Sequence, residues 1–184
     1  MPEEYRNGRP AGRVTVPARL KSEVKMPRNK RAGLRLVKTD AVYSNREVAK
    51  LINRVMRDGK KAVAARQVYR AFEVIKEKTS REPVDVFEQA IKQITPQMEV
   101  RSRRVGGAAY QVPVPVRGPR GFSLAIRWLV MEAAKKPNKE WRTYGDKLAA
   151  EIMDAAKGEG GAVQKKITFH KMADANKAFS HFRW

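Results

Sequence analysis

Cysteine is absent and histidine occurs only twice in 184 residues. This excludes disulfides, thiol catalysis, iron–sulfur clusters and Cys-ligated zinc, and makes a His-rich metal site a poor expectation. Acid is scarce as well: nineteen Asp and Glu face forty Lys and Arg, a formal net charge of +21 at pH 7. Such a surplus repels itself unless a polyanion neutralises it, so the expected partner is nucleic acid. No stretch reaches the ~18 uncharged apolar residues that cross a bilayer, and the start lacks the apolar core of a secretory signal. The chain is expected to be neither membrane-spanning nor secreted by that route. Gly-x-Ser-x-Gly, Walker and dinucleotide loops are missing too, and the acids Glu73, Glu77, Glu82, Asp85 and Glu88 alternate with Lys as on a solvated helix face. No enzyme, cofactor or metal is expected.

What is present is enough to fold. The hydrophobic fraction is 42%, close to that of ordinary globular chains, and the length suits one domain plus a tail. Residues 1–40 read as a basic, disordered N-terminal arm: positions 1–36 hold ten Lys or Arg against Glu3, Glu4 and Glu23, a net of +7, with prolines at 2, 10, 17 and 27 and no period. Residues 41–184 read as the folded part. Ser44 and Glu47 have capping-box spacing before Val48, Leu51, Ile52, Val55 and Met56, and Gly59 can end that helix. A second periodic run (Ala62, Ala65, Tyr69, Phe72, Ile75) extends to about Lys78, and a third opens at Glu82-Pro83 and ends before Pro96.

The period then changes to two. Met98, Val100 and Ser102, then Gly106-Gly107, then Tyr110, Val112, Val114 and Val116 spell a β-hairpin over about 97–116. Pro113 and Pro115 keep it a lone, projecting ribbon. Helical period resumes near Phe122 in a segment apolar enough to be central (Leu124, Ala125, Ile126, Trp128, Leu129, Met131). Two more helices follow, from about Tyr144 to Ala156 and from Ala162 to Ser180, the last with Val163, Ile167, Met172, Ala173, Asn176 and Phe179 inward. The fold class is therefore mainly α, a bundle of about six helices with a protruding two-stranded hairpin.

The ribbon carries the sharpest charge signal. Between Glu99 and Glu132 there is no acid, while Arg101, Arg103, Arg104, Arg117, Arg120 and Arg127 all fall there and none is Lys. Planar guanidinium forks pair with phosphate and stack on bases, which fits structured RNA, whereas a mere solubility device would mix signs. Arg28, Lys30, Arg31 and Arg35 in the arm are a second candidate, and Lys60-Lys61 and Lys165-Lys166 are lesser clusters, the former placed just past a helix end where capping accounts for part of it. Two competing classes share the basic surface: an RNA-processing enzyme, and a DNA-compacting protein whose ribbon enters the minor groove.

Three blocks bring a resemblance. Leu51-Ile52-Asn53-Arg54-Val55-Met56-Arg57-Asp58-Gly59-Lys60-Lys61, Arg103-Arg104-Val105-Gly106-Gly107-Ala108-Ala109-Tyr110-Gln111-Val112-Pro113-Val114, and Lys171-Met172-Ala173-Asp174-Ala175-Asn176-Lys177-Ala178-Phe179-Ser180-His181-Phe182-Arg183-Trp184 resemble the bacterial-type family of small-subunit ribosomal protein seven, in order over about residues 26–184. The resemblance implies six helices with the hairpin between the third and fourth. It implies a structural constituent of the small ribosomal subunit, cytoplasmic or in an organelle, that binds the 3′ major domain of 16S-type rRNA and nucleates head assembly. It puts rRNA contact on Arg28, Lys30, Arg31, Lys60, Lys61, Arg101, Arg103, Arg104, Arg117 and Arg120. The tip at Val105, Gly106 and Gly107 then lies near exit-site tRNA, with small-subunit proteins nine and eleven as neighbours. Residues 1–25 read as an extension relative to the family, and Pro137 to Gly145 as a longer connection.

Overall fold

A computed structural model describes residues 36–182; the arm cations Arg28, Lys30, Arg31 and Arg35, and the terminal Trp184, lie outside the described residues. Among the described residues the order is α1 (Arg46–Val55), α2 (Lys61–Thr79), α3 (Pro83–Ile94), β1 (Met98–Val105), β2 (Ala108–Pro115), α4 (Gly118–Lys135), α5 (Tyr144–Ala156), α6 (Gly161–Ala175) and a 3-10 segment (Lys177–Phe182). The expected mainly α architecture with one two-stranded hairpin is what the chain adopts.

Helix ends follow local chemistry, with one correction at the first. Ser44 takes a left-handed φ of 50° and so cannot cap. The extended Asn45 caps α1 instead, its Oδ1 accepting from the Glu47 amide at 2.7 Å. Pro83 sits in the first turn of α3, where its missing N–H costs nothing. A capping box does occur, at α5: Thr143 accepts from the Asp146 amide and Asp146 accepts in return from the Thr143 amide. Helix α4 begins at Gly118, four residues before Phe122. The apolar period is visible only from Phe122, but Gly118-Pro119 already opens the helix, proline being at home in a first helical turn.

The core gathers Leu51, Ile52, Phe72, Ile75, Phe87, Ile94, Leu129, Leu148 and Ile152, all essentially without solvent exposure. Helix α5 is the most enclosed element, packed against α2, α3, α4 and α6, although periodicity favours α4 for that place. Its small residues allow the close approach: a Cβ on Gly145 would stand 3.0 Å from the Gln67 carbonyl of α2. Trp128 is core as expected, while Met131, Ile167 and Met172 are exposed at 43%, 39% and 42%. The apolar faces of α4 and α6 are thus narrower than the sequence suggests. Helix α2 likewise turns Ala64, Val68 and Ala71 inward and leaves Ala62 exposed, because its inner face is set by the neighbours it meets.

Two charged groups on α5 are buried and partnered. Lys147 Nζ donates to Asn138 Oδ1 at 2.6 Å. Glu151 accepts from the Ala162 amide at the start of α6 at 2.9 Å and meets Lys136 at 3.3 Å. Burial lowers the Lys136 ammonium, and its bonds to Asp154 and Glu151 outweigh that and raise it. These ties, with Lys136 also 4.9 Å from the Trp141 ring, anchor both ends of the long α4–α5 connection.

Candidate nucleic-acid interface

In the hairpin, β1 and β2 pair from Met98↔Pro115 to Val105↔Ala108. Gly106 and Gly107 close it with φ of 57° and 90°, the doubly positive turn that glycine adopts at no steric cost. The Val116 amide donates to the Gln97 carbonyl at 2.9 Å, one pair below the ladder, so odd-numbered β1 residues make the hydrogen-bonded pairs. Pro113 and Pro115, opposite Val100 and Met98, therefore lack N–H groups only on the outer edge, where a third strand would have to join. No third strand pairs with the hairpin among the described residues.

Alternation puts Glu99, Arg101 and Arg103 on one face of β1, and the register adds Val114, Val112 and Tyr110 to that face. The side that reads as polar holds two buried side chains, Glu99 at 3% exposure and Val112 fully covered, while Pro113 is buried on the other. Glu99 is not left alone. Arg101 donates to its Oε1 and Arg120, from the first turn of α4, to its Oε2, each at 2.6 Å. Burial pushes the Glu99 carboxyl up, and the hydrogen bonds and charges of Arg120 and Arg101 outweigh this, holding it below the usual carboxylate range. Both guanidiniums remain about half exposed, so each is anchored at one edge and open to a ligand at the other.

Further out, Tyr110 stands opposite Arg103, its ring 5.3 Å from Phe179 and 5.2 Å from Phe182. Sequence periodicity continues α6 to Ser180. The helix stops at Ala175 instead and tightens into the 3-10 segment, which carries those two rings back to β2. His170 Nε2 accepts from the Gln97 amide at 3.1 Å, a second brace at the hairpin's root. Beyond Tyr110 the ribbon is free: Arg104, Gly106, Gly107, Ala108 and Ala109 are exposed and Val105 half-buried. Arg117 is the exposed residue preceding α4.

Lys60 and Lys61 require a correction. Helix α1 ends at Val55, Asp58 and Gly59 turn the chain with positive φ, and Lys60 and Lys61 open α2. A helix start repels cations, so capping explains none of this pair. Lys60 lines a groove of about 780 Å3 with Arg54, Arg57 and Arg142, floored by Val63, Met131 and neighbouring side chains. Sequence reading passed over those arginines; the Arg54, Arg57, Lys60 spacing was the available signal, but Arg142 joins only through folding. Tyr144 lines the same groove, and its hydroxyl has no hydrogen-bond partner among the described residues. Burial pushes that hydroxyl up to about 12, against the nearby charge of Arg57.

The expected contact residues thus fall into four groups, one of them Arg103 and Arg104 along the ribbon with Arg117 just ahead of α4. Arg101 and Arg120 are joined through Glu99, Lys60 belongs to the groove with Lys61 beside it, and the arm cations lie outside the described residues. The described residues contain no cluster able to hold a metal ion and no helix long and apolar enough to cross a membrane.

A family model described as ribosomal protein S7p/S5e matches residues 27–177. The chain is similar over 159 residues, 86% of its length and the whole of each relative, to proteins called small ribosomal subunit protein uS7. The identity is 55% to that of Moorella thermoacetica, 56% to that of Carboxydothermus hydrogenoformans and 52% to that of Acetivibrio thermocellus.

Proposed function

The chain belongs to the ribosomal protein S7p/S5e family, structural and non-enzymatic components of the small ribosomal subunit, and from that premise we propose that it binds the 3′ major domain of 16S-type rRNA and nucleates assembly of the subunit head. The observation that carries this reading is the root of the hairpin, where one buried carboxylate orients two half-exposed arginines at 2.6 Å. A guanidinium held in place keeps free N–H groups for phosphate and loses less freedom on binding than a mobile side chain. Arg103, Arg104, Arg117, Lys60 and Lys61 add contacts, and Arg28, Lys30, Arg31 and Arg35 extend them along the arm. By resemblance, Val105, Gly106 and Gly107 at the tip lie near exit-site tRNA, and small-subunit proteins nine and eleven are neighbours.

A chemical footprint of the full chain on small-subunit rRNA tests the reading. Protection confined to the 3′ major domain is expected; protection spread evenly over the transcript would sink it. The arm divides the same way: the family match begins at residue 27, so removing residues 1–25 should leave rRNA affinity unchanged, whereas removing 1–36 should weaken it. Equal losses from both truncations would move the functional boundary into the extension.

A further inference from the structure

We propose that the groove between the α1–α2 turn and the α4–α5 connection seats an unstacked nucleotide of single-stranded rRNA, the base on the Val63 and Met131 floor and the adjoining phosphates on Arg54, Arg57, Lys60 and Arg142. The proposal rests on the rRNA-binding reading and deepens it by naming the state of the strand.

Charge decides the class of ligand. No acidic residue lines the groove among the described residues; Lys135 in its wall is paired with Glu132 at 2.8 Å and Lys147 donates to Asn138, while Arg54, Arg57, Lys60 and Arg142 make no ion pair among the described residues. This differs from the hairpin root, where the fold supplies its own anion. Four cations held together without one are neutralised only from outside. Lys60 at the start of α2 strengthens the case, because the helix dipole opposes a cation and favours an anion at that position.

The floor decides the form. Val63 and Met131 are 52% and 43% exposed, two large apolar side chains left in water in the same groove as those cations. A phosphate backbone alone gains nothing from such a floor. An A-form duplex keeps its bases stacked inside and presents only phosphates and riboses to a groove of this kind, so the floor would stay wet. A base turned out of its stack covers it, while its own phosphates reach the rim. About 780 Å3 lies within the range of pockets that enclose a small ligand, and apolar cover of a base combined with cations along the backbone is how single strands are held.

The two ideas, a phosphate site and a base seat, predict opposite signs for one change. Val63→Lys and Met131→Lys each add a positive charge and remove part of the floor. Attraction to phosphate alone would tighten binding to a transcript of the rRNA 3′ major domain; a seated base predicts weakening on the order of tenfold for each. Both positions are exposed, and thermal melts of the free variants verify the fold, Met131→Lys standing alone if the α2 variant melts early. The chain has no cysteine, so Met131→Cys provides a single thiol for a short photo-crosslinker in the assembled subunit. A crosslink to the base of an unpaired nucleotide is expected. Lysine variants that bind as tightly as the parent or tighter, or a crosslink to duplex RNA or to a neighbouring protein, would overturn the proposal while leaving rRNA binding intact. A parent chain that fails to bind the transcript would instead remove the underlying reading.

Discussion

At the root of the hairpin Arg101 and Arg120 share the buried Glu99, each at 2.6 Å; in the groove Arg54, Arg57, Lys60 and Arg142 share no anion among the described residues. Both regions count as basic in a tally of the sequence, yet they differ in what the charge does before any ligand arrives. The first uses its cations to solvate an anion inside the fold, where losing a partner leaves a buried charge unmatched. The second stores unrelieved repulsion, weakened by solvent, that only a polyanion removes. The root should therefore give stability and orientation, and the groove affinity and salt dependence.

The strongest attack on this division is Glu99→Gln. The glutamine fills the space but keeps a single acceptor oxygen, so one charge-assisted hydrogen bond becomes weaker and the other is lost, an amide N–H facing a guanidinium N–H, and the melting transition should show a loss of about 2 kcal/mol. Net charge rises by one, so non-specific binding to a homopolymer should tighten slightly, while affinity for the 3′ major domain transcript should fall because the two arginines lose their anchor. A variant of unchanged stability that binds the specific site more tightly would mean that the root is only surplus charge.

Arg120→Ala and Arg142→Ala sharpen the contrast. The first leaves Glu99 with one partner and should cost about 1–2 kcal/mol of stability in denaturant unfolding. The second should change stability by no more than about 0.5 kcal/mol while lowering the slope of log affinity against log salt by about one. If both variants melt alike, the distinction between paired and unpaired cations fails.

A smaller effect separates the regions by pH. The Glu99 carboxyl titrates below its unfolded value of about 4.3, so its contribution is complete above that value and drains away as pH falls through the depressed folded value. Parent and Glu99→Gln should thus differ in stability at neutral pH and converge in acid, whereas parent and Arg142→Ala should run parallel throughout. The least effect belongs to the tip. Shortening Arg104 to Ala109 with the turn rebuilt spares Tyr110 and its contacts with Phe179 and Phe182, so the melt should move by less than about 0.5 kcal/mol. A larger shift would show that the exposed end of the ribbon supports the fold.

Much of the fold was legible because its signals are local. The turn at Gly106-Gly107, the proline at the start of α3 and the spacing of Val86, Phe87, Ala90, Ile91 and Ile94 act within a few residues, and the structure follows them. Failures came where a local signal starts late or has two outcomes. The apolar period of α4 is visible only from Phe122, and Asn45 competes with Ser44 as cap. The candidate site was legible as composition only. Arg101 and Arg120 could be chosen as cations, but nothing in a one-dimensional count shows that Glu99 holds both, or that Arg142 comes back to Arg54.

By itself, then, the sequence determined the helical bundle, the hairpin with its register-setting turn, and an excess of positive charge that calls for a polyanion, since propensity, period and net charge are properties of neighbours and totals. Only the tertiary structure decided which cations are already neutralised and which wait for a ligand. Arg120 reaches Glu99 across 21 residues of sequence, and a Coulomb interaction depends on distance in space and on the medium around the pair, neither of which sequence separation records.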